Sequence, residues 1–259
     1  NSWSMFQKNL PIVPITDLKI KENSLIVATQ GRSIWILDDL TVLHQMQSKK
    51  DDVETILYKP KQSYRTKGRG GESSLTAGTN LPNGVIVHYY LKKFDSKKDK
   101  VELQFKSNDG ELIKTFSSED KKNKLNIKEG GNSFVWDTRY EGAEKLEGMI
   151  FWSASFSGAK AVPGSYSVSL LINGEEKVQK FDILADPRSE SSVQDMQKQF
   201  DFVNEVNQTV DIAHKAIKKI RIIATKLTDF IKQNETDSTA TKLVDQAKEI
   251  KENLINVEK

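Results

Sequence analysis

Apolar residues recur along this chain at two different periods, and the switch between them falls near Ser191. Before it the apolar runs are short, as strands are; after it they return every three or four residues, as on one face of a helix. Leu25 to Thr29 and Ser33 to Leu37 are two strand-length runs separated by Gln30-Gly31-Arg32, which predicts a hairpin ended by Asp38-Asp39. Asn9-Leu10-Pro11 and Val13-Pro14 predict an irregular approach to it, because proline cannot donate to a strand ladder. Residues 59–82, which contain Lys67-Gly68-Arg69-Gly70-Gly71, are expected to form a linker or strap.

The strand pattern resumes at Val85 to Leu91 and continues through Val101 to Phe105, Glu111 to Phe116 and Asn132 to Asp137. After a gap, Tyr166, Val168, Leu170 and Ile172 alternate with intervening residues, and Val178 to Leu184 follow. Asn108-Asp109-Gly110 and Asn173-Gly174 are hairpin-turn signals. Short strands with turns at regular spacing predict an antiparallel β-sandwich.

Beyond Ser191 the helical seam runs through Val203, Val206, Val210, Ala213, Ile217, Ile220, Ala224, Leu227 and Ile231. Ser191 or Ser192, with Asp195 close behind, supplies the start signal. Asn234 to Ser238 interrupt the pattern, and Leu243, Ala247, Ile250, Leu254 and Val257 repeat it, which predicts an antiparallel helical hairpin. The first helix is about twice as long as the second, so its unmatched part needs a cover from elsewhere.

Composition narrows the function classes. The chain has 259 residues, 37% hydrophobic and 29% charged, with 39 Lys+Arg against 36 Asp+Glu. That near balance lacks the concentrated basic stripe of a nucleic-acid binder. No apolar run approaches the ~18 residues that span a bilayer. With no cysteine there is no disulfide, thiol nucleophile or Cys-ligated metal.

Catalytic constellations do not emerge. His44, His88 and His214 show no metal-ligand spacing; His88 reads as a structural residue within a strand, and His214 falls on the polar side of the seam, where a solvated position is expected. No G-x-S-x-G elbow occurs, and Gly68 to Gly71 lack the Gly-Lys-Ser/Thr end of a P-loop. Asp38-Asp39 and Asp51-Asp52 are open to two readings, a cation site or a turn and helix-start device. Trp35, Trp136 and Trp152 are likewise open to two: sugar-stacking platforms or ordinary core. No metal or cofactor is expected.

Several of these segments resemble a known family. Trp3, Asn9-Leu10-Pro11, Pro14 to Asp17 and Val27 to Asp39 resemble the last propeller blade of bacterial sortilin-type, BNR-repeat proteins, which include glycosyl-hydrolase-like members and are frequent in the Bacteroidetes. Ala77 to Val85 resemble that family's join between propeller and C-terminal domain. Asn132 to Tyr140 and Ala161 to Tyr166 resemble its Ig-like domain, and also the Ig-like domain of flagellar hook-capping proteins; Asp186-Pro187-Arg188 matches its exit from the sandwich. Asn1-Ser2-Trp3 resembles the tail of an Asp-box, implying a chain that begins inside the last blade.

The resemblance implies a mostly β fold with an α-helical C-terminus. Residues 1–58 would be a terminal propeller-blade segment, 59–82 a linker, 83–187 an Ig-like antiparallel β-sandwich and 188–259 a helical hairpin. It implies a non-catalytic interaction or scaffold piece of a secreted, periplasmic or cell-surface protein. Its partners would be the remainder of the propeller or another envelope protein. Two alternatives accompany it: a carbohydrate-binding part of a glycoside-hydrolase-like parent, binding glycan through Trp35 and Trp136, and a peptide-binding propeller rim, with Arg32 and Trp35 as its residues.

Overall fold

The computed structural model describes residues 3, 5–47, 53–66, 80–146, 148–149 and 155–258. The glycine-rich stretch Lys67 to Gly71, the pair Asp51-Asp52, Ala77 to Thr79 and Trp152 lie outside the described residues. The protein is β-rich, with several sheets and a helical C-terminus. Its contacts divide it into two units, Asn1–Thr138 with Val162–Glu190, and Arg139–Ala161 with Ser191–Lys259.

The first unit begins with a three-stranded antiparallel sheet, β1 (Ile15–Lys21), β2 (Ser24–Thr29) and β3 (Ile34–Leu37). The β2–β3 pair is the hairpin expected from the two apolar runs. Its turn uses left-handed backbone at Gly31 (φ 75°) and Ser33 (φ 67°), which glycine adopts at little steric cost. A short helix, α1 (Thr41–Gln47), follows and was not legible in the sequence pattern.

Two further sheets supply most of the core. One has the order β4 (Thr55–Leu57), β6 (Val85–Leu91), β9 (Gly130–Trp136); the other has β5 (Ser63–Arg65), β11 (Glu175–Ala185), β10 (Gly164–Ile172), β7 (Val101–Ser107), β8 (Leu112–Ser117). Val85, Val87, Tyr89 and Leu91 alternate inward along β6, and Val101, Leu103 and Phe105 do so along β7. Aromatic rings join the two sheets: Phe105 of β7 stacks on Trp136 of β9 with centroids 4.5 Å apart, and Trp136 meets Tyr166 of β10 and Phe181 of β11 edge-on. Gly84, just ahead of β6, lets the chain pass close to the end of β9, since a Cβ there would lie 2.2 Å from the Trp136 carbonyl oxygen.

These sheets shift the expected boundaries. β4 pairs with β6, and β5 pairs in parallel with β11, so residues 55–57 and 63–65 are sheet strands rather than blade segment and linker. Each is three residues long, too short to show alternation. At the other end, residues 139–161 leave the expected 83–187 sandwich and belong with the helices.

The second unit holds α2 (Val193–Asn234) and α3 (Thr241–Glu258), packed on each other. Ser192 caps α2 as the sequence suggests: its hydroxyl accepts from the Asp195 N–H, and the Asp195 carboxylate accepts from the Ser192 N–H, a reciprocal capping box. Val244 of α3 is buried, as are Ala240 just ahead of the helix and Ala247 of the expected seam, whereas Leu243, Ile250 and Val257 of that seam are exposed. Two apolar rows lie one residue apart on this helix, and packing on α2 selects between them.

A strap, described at residues 139–146 and 155–161, packs on α2. Its limbs close on each other through the Tyr140 N–H to the Ala159 carbonyl (2.9 Å) and the Arg139 guanidinium to the Gly158 carbonyl (2.9 Å). Gly142 and Gly158 permit this: a Cβ on either would fall within 1.7–2.0 Å of a carbonyl oxygen on the opposite limb. Tyr140 packs edge-on against Phe200 at 4.7 Å. The Glu144 N–H donates to Asp211 at 2.6 Å, and the Glu144 carboxylate pairs with Lys218, which holds its pKa below the usual carboxylate value. His214, expected in solvent, is only 3% exposed. Its Nδ1 faces the Glu144 carbonyl, an acceptor only, so Nδ1 carries the proton. The strap buries what the helical pattern alone places outside.

Candidate functional site

Strand β6 reads Val-Ile-Val-His-Tyr-Tyr-Leu. Its odd positions fill the core, so Ile86, His88 and Tyr90 share the opposite face. On that face Ser133 of β9 lies directly across from His88. Tyr58 continues β4 beside them, its N–H bonded to the His88 carbonyl at 3.0 Å.

Two devices fold further chain over this face. Asp39 accepts from the Thr41 N–H at 2.9 Å and starts α1. Gln45 then clamps Lys59 through both halves of its amide, donating to the Lys59 carbonyl at 3.0 Å and accepting from its N–H at 2.8 Å. The clamp fixes α1 so that Val42 and Met46, one turn apart, face the sheet. On the other side Asn132 accepts from the Lys128 N–H at 2.9 Å and donates to the Lys128 carbonyl at 2.7 Å, turning residues 126–128 back along β9.

Between α1, the sheet and residues 126–128 lies an open groove of about 740 Å³. That volume falls in the range of roughly 300–1,000 Å³ usual for small-molecule sites. Tyr58, His88, Tyr90, Asn126, Lys128 and Ser133 line it, and their side chains make no hydrogen bond among the described residues. Tyr89 lies between His88 and Tyr90 on β6, but its side chain is one of the core-facing odd positions, 1% exposed, with a hydroxyl that has no partner there.

Burial tunes the groove's electrostatics. On the core side of β6, desolvation pushes the Tyr89 hydroxyl up to about 12. It raises Tyr58 as well, with Tyr90 nearby adding to the effect. Desolvation lowers His88, partly offset by the Asp39 carboxylate. The imidazole is thereby held neutral near pH 7, able both to donate and to accept.

The lining includes no carboxylate, so the acid pair of a glycosidase is not assembled there. Ser133 sits opposite His88 without a hydrogen bond to it, so the hydroxyl has no activating base. Among the described residues no group of three or more His, Cys, Asp or Glu is placed to hold a metal ion. The arrangement is one for binding.

The residues singled out by sequence fall in two places. Arg32 and Trp35 are brought together at the β2–β3 turn, where the indole N–H donates to the Arg32 carbonyl at 2.8 Å and Arg32 is exposed. Trp136 is 0% exposed in the core between the two large sheets. It has no face to offer a sugar, and its assignment as a ligand-binding residue is corrected on that ground. The groove residues escaped notice because β6 reads as one apolar run; the period-two spacing of Ile86, His88 and Tyr90 was the available signal.

Among the described residues no helix is long and apolar enough to cross a membrane. No family model matches the chain, and no curated protein matches its sequence.

Proposed function

We propose that this chain is a non-catalytic interaction module of a larger secreted or cell-envelope protein, docking through the β1–β3 sheet. The distribution of apolar side chains on that sheet carries the reading. Cross-strand register aligns Leu18, Val27 and Trp35 in one row and Ile20, Leu25 and Leu37 in the next, all on one face. On the other face Ile26 lies between Lys19 and Ile36, and Ala28 between Asp17 and Ile34, so that face is apolar on β2 and β3 and polar on β1. Leu18 is 59% exposed and Ile20 64% on the first face; Ile34 is 66% and Ile36 56% on the second.

A sheet with one wet face alternates apolar and polar residues. β1 does alternate, but β2 and β3 carry apolar residues on both faces, as strands that lie between two other layers do. Large exposed apolar patches of this kind mark interaction surfaces. The occupants we infer are further apolar sheets, one on each face, as adjacent blades of a propeller supply. This favours the blade of a sortilin-type BNR-repeat protein, with Arg32 and Trp35 on its rim as residues for peptide contact.

We read the two larger sheets as an Ig-like sandwich. The orders β4-β6-β9 and β5-β11-β10-β7-β8 support it, with the first strand divided between the sheets. So does the buried bond from the Tyr166 hydroxyl to the Val162 carbonyl, 2.6 Å long and four residues back, the pattern of a tyrosine corner.

Sedimentation equilibrium tests the docking surface. Without other layers, copies of the chain should cover one another, so the apparent mass should rise above 29.3 kDa with concentration. Leu18→Lys with Ile34→Lys, one charge on each face, should restore the monomer mass. A wild-type chain that stays monomeric throughout, or a double variant that associates equally well, would remove the proposal.

A further inference from the structure

We propose that the α2–α3 hairpin presents a docking cleft for one amphipathic helix of a partner protein, a helix with carboxylates along one flank. The cleft is separate from the β1–β3 sheet and does not depend on what covers that sheet.

Heptad spacing sets the floor of the cleft. On α2, Ala216, Ile223 and Phe230 stand seven residues apart; on α3, Leu243, Ile250 and Val257 do the same. Residues so spaced form a line along a helix. Ile223 and Phe230 directly precede Ala224 and Ile231, half-buried in the seam between the helices, and Leu243 directly precedes the buried Val244. Both lines are thus offset from the shared seam in the same sense. The helices run antiparallel, joined by the short turn 235–240. Equal offsets then bring the two lines to one side of the hairpin, the side through which the axis exchanging the helices passes.

That side is open among the described residues. Leu243, Ile250 and Val257 are 57%, 51% and 76% exposed, and Phe230 and Ala216 are exposed beside them. The strap meets α2 at Phe200, Asp211, His214 and Lys218, roughly half a turn round the helix from the Ala216–Phe230 line. Exposed apolar surface of this extent marks an interaction site, and a cleft between two helices accepts the apolar face of a third.

The rims of the cleft select its occupant. Three residues on from each floor residue, one step further from the seam, stand Lys219, Lys226 and Gln233 on α2 and Gln246 and Asn253 on α3. All five are exposed, and Lys219 and Lys226 make no ion pair among the described residues. One rim therefore carries positive charge and the other none, and neither holds a carboxylate. A second copy laid face to face by a two-fold axis sets these lysines against their own counterparts or against Gln246 and Asn253, and so leaves them without a carboxylate in either arrangement. A helix acidic along one flank pairs with both, and flanking charges of this kind set partner choice in helical assemblies.

The test uses the whole chain. The probe is a synthetic peptide of three heptads, slightly longer than the 18 residues of α3, with leucine at the two apolar positions of each heptad and glutamate beside them; repulsion between its glutamates keeps it from pairing with itself. Fluorescence anisotropy follows its binding. It should bind saturably, and the same peptide with lysine in place of glutamate should bind several-fold more weakly. Leu243→Ser with Ile250→Ser should weaken binding about tenfold or more, since two apolar anchors are lost from the floor. Lys219→Glu with Lys226→Glu should invert the preference between the two peptides. Leu18→Lys with Ile34→Lys, on the β1–β3 sheet, should leave both affinities unchanged. Should the serine variant lose helix content by circular dichroism, the charge-reversal variant carries the test. The proposal is overturned if the acidic peptide fails to bind, if the serine variant binds it as tightly as wild type, or if charge reversal leaves the preference unchanged. It is overturned in favour of a second copy if the Leu18→Lys, Ile34→Lys chain forms dimers that the two serine substitutions abolish.

Discussion

Trp136 distinguishes a core residue from a recognition residue, and its replacement gives a number. The side chain is 0% exposed, stacks on Phe105 with centroids 4.5 Å apart, and meets Tyr166 and Phe181 at 6.2 and 6.3 Å. Burying an aromatic side chain removes roughly 150–250 Å² from water, which at about 25 cal/mol/Å² amounts to ~4–6 kcal/mol. Part of that survives truncation through the Cβ and through collapse of neighbours, and buried Trp→Ala changes cost about 3–5 kcal/mol. For a unit of this size each kcal/mol lowers the midpoint by roughly 2–4 °C, so Trp136→Ala should lower the unfolding temperature by about 6–20 °C. Trp136→Phe keeps a ring against Phe105 and should lose markedly less. Differential scanning calorimetry reads both without relying on tryptophan fluorescence. A Trp136→Ala variant within ~0.5 kcal/mol of wild type, the range of ordinary surface changes, would refute the packing described here.

Two further outcomes follow from particular contacts. His214→Ala strands the Glu144 carbonyl against α2, at a cost of about 1–3 kcal/mol, and Gly158→Ala forces a Cβ against the Tyr140 carbonyl; limited trypsin digestion should cut at Lys145 faster in both, and equal rates would refute the strap. The Arg188 guanidinium and N–H hold the Asp186 carboxyl down to about 2, from a usual 3.8. A depressed carboxylate contributes stability above its unfolded value and loses it as pH falls through about 2. NMR titration should therefore place Asp186 near 2 and move it toward 3.8 in Arg188→Gln; an unmoved midpoint would refute the pairing.

Legibility in the sequence tracked locality. Asn173-Gly174 announces its hairpin because both residues take left-handed backbone, φ 49° and 94°, in the turn that joins β10 to β11. The α2 start at Ser192 is written in four consecutive residues. What escaped was set by partners distant in sequence. β5 is a strand only because β11, more than a hundred residues on, offers its edge. His214 is buried only because the strap returns from residues 139–161. The expected α3 seam holds at Ala247 but not at Leu243, because Leu243 and Val244 are equally apolar and packing on α2 decides which is covered. The groove needed three separate segments to be superposed, which no local pattern encodes.

The docking role of the β1–β3 sheet is tested most directly by hydrogen exchange at the amides of its central strand, Leu25 to Thr29, measured across a concentration series. The account predicts that protection in β2 rises with concentration as copies cover its apolar faces, while protection in β7 and β10 stays constant. β2 protection that is independent of concentration, and unchanged by Leu18→Lys with Ile34→Lys, would contradict it.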